Sequence, residues 1–325
     1  APAQTITPDR TGPQTRVVIV QNDQATEAFS PREAIVQTMV NRGIIELTGS
    51  ATLAGAWLSL VTTQDVVGIK VNSVPGPHSG TRPAVVEAVA RGLMEAGLPP
   101  QNIVVWDKYD TDLRLAGYFA LARKLGIRCA GSLRAGYDAE VFYDTPLIGN
   151  LVWGDLEFES KAENTGRKSY VSRLLTHDIT RIINVTPLLN NNEAGVSGNL
   201  VGLALGSVDN TRRFEGDRRR LARAIPEIYA LPSLSDRVAL NIVDALVCQY
   251  EGGERGLLHY SAVLNELRFS RDPVALDVLS IQELEKQRKS AGAMRLKPNL
   301  EIYDNAALLE LGVNDVSKIK VERLR

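Results

Sequence analysis

Cysteine and histidine are scarce in this sequence, with two of the first and three of the second in 325 residues. Cys129 and Cys248 are too few for an iron–sulfur ferredoxin module or a four-cysteine zinc site built by this chain alone. No iron–sulfur cluster is therefore expected on it. Both cysteines sit in apolar stretches (IRCAG and ALVCQY), which reads as two buried thiols. A disulfide stays open as an alternative, because it needs Cα atoms within about 7 Å and a sequence does not show that distance. Also absent are G-x-G-x-x-G, a Walker loop, a nucleophile elbow and a histidine pair at zinc-ligand spacing, so the common nucleotide-binding and hydrolase classes lose their support.

Charge of one sign is lacking too. The formal net charge is −1, which provides no field to attract nucleic acid or an anionic membrane. No apolar run approaches the roughly 20 residues that span a bilayer, and the longest, around 199–205, is punctuated by glycine. The sequence starts Ala-Pro-Ala-Gln without a methionine, as a chain would after signal-peptide cleavage behind small residues. That leads to the expectation of a periplasmic or extracellular protein.

What is present is an ordinary globular composition, 44% hydrophobic and 23% charged, with enough length to bury a sizeable core. Residues 1–15 are rich in Pro, Thr and Gln and read as an extended N-terminal arm, followed by one α/β domain over 16–325. RVVIVQN (16–22) reads as a strand. Ser30-Pro31 reads as the N-cap and first position of a helix. VVGIKV (66–71), IVVW (103–106) and residues 127–131 read as strands that alternate with helices over 83–96 and 113–125. Such alternation predicts βαβ units and a mostly parallel, doubly wound sheet. Residues 136–160 have alternating aromatics and turn residues, which predicts an antiparallel insertion or sheet extension. Further strands are predicted over 181–185, 237–246, 261–269 and 318–321. A helix is N-capped by Asp272 with Pro273 at its first position, and another lies near 305–311.

In an open parallel sheet, ligands bind beyond the carboxyl ends of the strands. That rule brings together Lys70, Asn72, His78, Ser79, Thr81 and Arg82 after one strand and Asp107 and Asp110 after the next. Lys70 stands out, because a lysine in an apolar strand must find a carboxylate or a ligand, and Asp107 is the natural partner. His78, in a Pro/Gly loop, could carry a proton or serve as a single metal ligand. Lys70, His78 and Asp107 are therefore the candidate catalytic residues. Asn190, Asn191, Asn192, Ser197 and Asn199 follow another strand end, where amides could cradle a polar ligand, and Asp244 ends a further strand. These five, with Asn72, Ser79, Thr81, Arg82 and Asp244, are the candidate ligand-binding residues. Gly198, Gly202 and Gly206 share one helix face and read as close-packing positions. The arginines of 212–223 read as a solvated face.

Taken in order, VVGIKVN, TRPAVVEAVARGLMEAGLPPQNIVVWD, IINVTPLLNNNEAGVSGNLVGLALG, VALNIVDALVCQYEGGE and SRDPVALDVLSIQELE resemble the Domain of Unknown Function 362 family, from about Val66 to the C-terminus. The family's chemistry is undetermined. The central loop departs from the family pattern, reading Leu-Asn-Asn-Asn and Gly-Asn where relatives carry a lysine–threonine/aspartate–histidine element and a Lys-Asn pair. This puts a basic role for that loop in question here. Relatives with ferredoxin-type cysteines or a twin-arginine export signal are common; the cysteines are missing from this chain. The strand–loop–Arg-Pro–helix segment is also faintly similar to the N-terminal domain of nickel-dependent lactate racemase, which implies a small-molecule or metallocofactor site near Lys70 and His78. Two readings of function follow. One is a protein that binds a small polar ligand or metallocofactor at the sheet's carboxyl edge, with acid/base or redox-associated chemistry; the metal, if any, is unidentified. The other is a degenerate family member acting as an interaction subunit, with 137–159 as its interface.

Overall fold

The computed structural model describes residues 15–293 and 297–325. The arm proposed for residues 1–15 therefore lies outside the described residues, except for Thr15. Among the described residues thirteen strands follow one another: β1 (Thr15–Gln21), β2 (Thr26–Glu27), β3 (Ser30–Pro31), β4 (Val67–Lys70), β5 (Ile103–Asp107), β6 (Arg128–Gly131) and β7 (Tyr137–Asn150), then β8 (Thr165–Ser172), β9 (Arg181–Asn191), β10 (Gly195–Val196), β11 (Val238–Gln249), β12 (Ser261–Ser270) and β13 (Ile319–Leu324). Nine of them make one mixed sheet in the order β13-β1-β12-β11-β9-β4-β5-β6, with β10 folded back on β9. The run β11-β9-β4-β5-β6 is parallel throughout, and β12 is antiparallel to both its neighbours. The α/β expectation holds.

The parallel core forms because its strands are apolar on both faces, as strands covered by helices on each side must be. Along β9, Ile183 and Val185 face the layer of Val36, Met39, Val85 and Val89, while Ile182 faces the layer of Leu203, Ile225 and Leu276. The first layer comes from helices Glu33–Thr48 and Pro83–Glu95, the second from Asn199–Ser207, Arg218–Tyr229 and Pro273–Ser290. Burial of these side chains on both sides of one sheet is the main favourable term in the fold.

Several local expectations are corrected. Ser30-Pro31 does not open a helix; it forms the two-residue strand β3 against β2, and the helix starts at Glu33 with Arg32 as its cap. The chain reverses between the two strands through Ala28 and Phe29, both with positive φ, and that turn overrides the Ser-Pro capping signal. The helix predicted over 113–125 is two helices, Asp110–Leu115 and Tyr118–Leu125, divided at Gly117 with φ 90°. The helix predicted near 305–311 instead spans Glu301–Leu308. The antiparallel insertion expected over 136–160 is present, but its second strand lies at 165–172, outside that range, and the two strands form a separate ribbon, not an extension of the main sheet. Asp272 caps its helix through the N–H of Ala275, as read from the sequence.

Neither cysteine is in a disulfide; Cys248 is buried and Cys129 partly so. Burial pushes both thiols up to about 12, so they stay protonated and unreactive at neutral pH.

Candidate functional site

A cavity of about 280 Å³ opens at the carboxyl ends of β4, β5 and β9. Lys70 ends β4 and Asp107 ends β5, and the parallel register places Lys70 beside Trp106. Their side chains meet with Nζ 2.9 Å from Oδ1, both almost fully buried. Nζ also donates to the carbonyl of Val71 at 2.6 Å. Asp107 accepts further hydrogen bonds from the Ser73 N–H (2.8 Å), the Ser73 hydroxyl (2.7 Å) and the Lys108 N–H (2.8 Å). The pair is a saturated polar unit in the cavity wall, and Gly206 opposite leaves it room, since a Cβ there would run into Cε of Lys70.

The predicted ligand residues separate into two groups. Lys70, Asn72, Asp107, Asn191 and Ser197 line the cavity. His78, Ser79, Thr81, Arg82, Asn190, Asn192, Asn199 and Asp244 do not. His78 is exposed, and its carbonyl accepts from Arg82 at 2.7 Å. Thr81 accepts from the N–H of Asn72 and donates to the carbonyl of Val185. Arg82 is buried against Asp244, with the guanidinium 3.0 Å from Oδ1 and the Arg82 N–H 2.9 Å from Oδ2. Asn199 donates to Asp277, which also accepts the N–H groups of Asn199 and Leu200 and so caps the helix Asn199–Ser207. The asparagine run folds as a hairpin. Asn191 Oδ1 takes the N–H groups of Glu193 and Ala194, the amide turn typical of this residue, and Asn190 donates to Asn192. Asn190 also holds the N–H of Gly253, which anchors the loop that carries Glu254 to the cavity.

The cavity is also lined by residues that the sequence did not single out as a site: Lys108, Tyr109 and Asp112 just beyond β5, Tyr137 and Trp153 from the ribbon and its connecting loop, and Glu215 and Glu254 from distant loops. Lys108 donates to the Thr211 hydroxyl at 3.0 Å and takes part in no ion pair among the described residues. Burial lowers the pKa of its ammonium, partly opposed by the fields of Glu215 and Asp155. Burial raises the carboxyls of Asp112 and Glu254, with repulsion from Asp107 adding to both and from Glu215 to the second. Ser197 is 3% exposed, and its hydroxyl lacks a hydrogen-bond partner. An orphan of this kind costs free energy unless something fills the space in front of it. Of the arginines at 212–223, Arg212 lines the cavity, while Arg213 is buried and braces the ribbon through Thr145 and the carbonyls of Tyr143 and Leu147.

Trp153 lies in the loop between β7 and β8, and two carboxylates fasten that loop. Asp155 accepts the N–H groups of Val152 (2.7 Å) and Asn210 (2.8 Å), and Asp209 accepts those of Leu156 (2.7 Å) and Tyr170 (2.6 Å). Burial, with Asp155 adding repulsion, raises the Asp209 carboxyl from 3.8 to about 7 against those two hydrogen bonds. A carboxyl raised in the folded state binds more protons there than in the unfolded chain. Its contribution to stability is therefore present below about pH 4 and is lost as pH rises through about 7. Denaturant unfolding across pH 4–7 is expected to show a decline of up to about 1.4 kcal/mol per unit from this group, and Asp209→Asn should flatten it. An unchanged profile in that variant would show that the decline, if present, comes from elsewhere.

Residues 67–282 match the family model described as a domain of unknown function (DUF362). The chain belongs to the DUF362 family. Its matched span takes in the parallel run β11-β9-β4-β5-β6 and every lining residue of the cavity. No curated protein matches this DUF362 chain. A crystal structure of a Thermotoga maritima protein, a structural-genomics target, aligns with 92% of the chain at 14% identity and a TM-score of 0.35, and the chain spans 62% of that protein. Among the described residues, no three His, Cys, Asp or Glu side chains are grouped so as to hold a metal ion. No described helix of this DUF362 protein is long and apolar enough to cross a membrane.

Proposed function

We propose that this DUF362 protein binds a small polar ligand in the cavity at the carboxyl edge of its sheet, with Lys108 as the group that contacts it and exchanges a proton with it. The observation that carries this reading is the pairing, in one cavity, of a buried hydroxyl with no hydrogen-bond partner (Ser197) and an ammonium in no ion pair (Lys108) among the described residues. Pockets that hold small molecules combine apolar walls with a few convergent polar groups of this kind, and a lysine with a lowered pKa gives up its proton more readily than a free one. The role passes from Lys70 to Lys108, because Lys70 is already neutralised by Asp107.

Native mass spectrometry of the protein purified from its own host tests the reading. A bound small-molecule mass is expected on the wild type and is expected to vanish in the Lys108→Met/Ser197→Val variant. A bare protein mass, or the same bound mass on the variant, would refute it. The interaction-subunit reading draws on Ile148 and Trp153, which stand 63% and 77% exposed on the ribbon. A bare mass found only within a defined oligomer would favour it.

A further inference from the structure

The charges around the cavity are arranged unequally. At the buried end, Lys70 and Asp107 cancel, and Lys108 is left over. At the exposed end, Glu215 stands in solvent and Glu254 reaches it at the cavity mouth, though the protein around Glu254 limits its hydration; with Asp112 close behind, none of the three has an ion-pair partner among the described residues. Arg212 is the exposed cation set against them. Asp155 is already committed to two backbone N–H groups.

The same end carries aromatic faces. Trp153 is 77% exposed and Tyr109 37% exposed, the latter with the Lys108 ammonium 5.8 Å from its ring centroid, which leaves Trp153 as the free face. Both also line an adjoining recess of about 660 Å³ that shares Leu133, Gly154 and Asp155 with the cavity. Trp153 is not on a loose tip, because the residues around it are tied down by Asp155 and Asp209. Exposing a tryptophan on a braced loop leaves a large apolar face uncovered beside a polar cavity.

Carboxylates next to the faces of Trp and Tyr form the environment that takes organic cations, through the ring quadrupole and the field of the acids together. We infer that the ligand of this cavity carries an organic cation, an ammonium or guanidinium, seated at the mouth against the face of Trp153 and beside the carboxylates of Asp112, Glu215 and Glu254. Its inner end is polar or anionic and faces Lys108 and the free hydroxyl of Ser197. This inference rests on the ligand-binding reading and narrows it to one chemical class.

Two probes of equal length and opposite charge test it, n-butylammonium and butyrate, titrated at low ionic strength and pH 7. Trp153 emission is the readout, since Trp57 and Trp106 are fully buried; calorimetry replaces it for variants at Trp153. Butylammonium is expected to bind about tenfold more tightly than butyrate. Glu215→Gln/Glu254→Gln should bring that ratio close to one, and Trp153→Leu should weaken the cation severalfold without changing butyrate. These three side chains are exposed, so the variants should fold. Butyrate binding as tightly as butylammonium, or a ratio that survives the double glutamine variant, would overturn the inference. If the two ions bound equally and Lys108→Met abolished both, the ligand-binding reading would stand without this one. If neither bound, both would fall.

Discussion

Arg82→Ala is expected to lower stability by about 3–5 kcal/mol, the usual consequence of leaving one member of a buried ion pair without its partner. Arg82 is 1% exposed and Asp244 fully buried. Asp244 receives both the guanidinium and the backbone N–H of Arg82, and the guanidinium reaches on to the carbonyl of His78. The contact joins the start of the helix Pro83–Glu95 to β11, 162 residues further along the chain. It fixes the loop 72–82 from the far side of the cavity. Adding Asp244→Asn to Arg82→Ala is expected to cost much less than the sum of the single variants, because the stranded charge is gone. Denaturant unfolding of the four proteins measures this cycle. Had Arg82 been a ligand contact, its loss would weaken binding and leave stability alone. That result would overturn the assignment.

The second large effect is expected at the cavity wall, and it should be asymmetric. Asp107→Ala removes the acceptor of four donors: Lys70 Nζ, the Ser73 N–H and hydroxyl, and the Lys108 N–H. Lys70 is left with only the carbonyl of Val71 among the described residues. A loss of about 3–5 kcal/mol is expected, together with loss of any ligand held by the cavity. Lys70→Met is expected to be milder by about 2 kcal/mol, since Asp107 keeps three hydrogen bonds and each unmade one costs about 1–3 kcal/mol. Unfolding curves of the two variants compare them directly. If Lys70→Met were the more damaging, Lys70 would have a function beyond the ion pair.

Both variants concern residues that the sequence brought forward, yet the structure gives those residues different work. Lys70 and Asp107 were legible as a pair because each ends a short apolar strand of a βαβ unit, and parallel neighbours bring such ends side by side. Arg82, Asp244 and Asn199 were legible as polar residues near strand ends and read as ligand contacts. Their partners were not, because those partners arrive across 162 and 78 residues of chain. Lys108 was adjacent to a singled-out residue and passed unremarked. Nothing in DKYD shows that one charged side chain is consumed by an ion pair while the next is left with a hydroxyl. Trp153, Glu215 and Glu254 come from the ribbon and from two loops that no local signal directs to the cavity.

The sequence by itself determined the layers. Apolar runs of strand length, helices at 3.6-residue spacing and the stops between them specify a parallel sheet covered on both faces, because only that arrangement buries so many doubly apolar strands. It also directed the search for a site to the carboxyl edge, and its two cysteines are too few for a four-cysteine cluster. Tertiary structure alone decided which of the buried polar groups are spent on one another and which are left to face the cavity. That outcome depends on distances of about 3 Å between residues far apart in the chain, and the energy of a charge or a hydroxyl in a dry interior depends on whether such a partner is there.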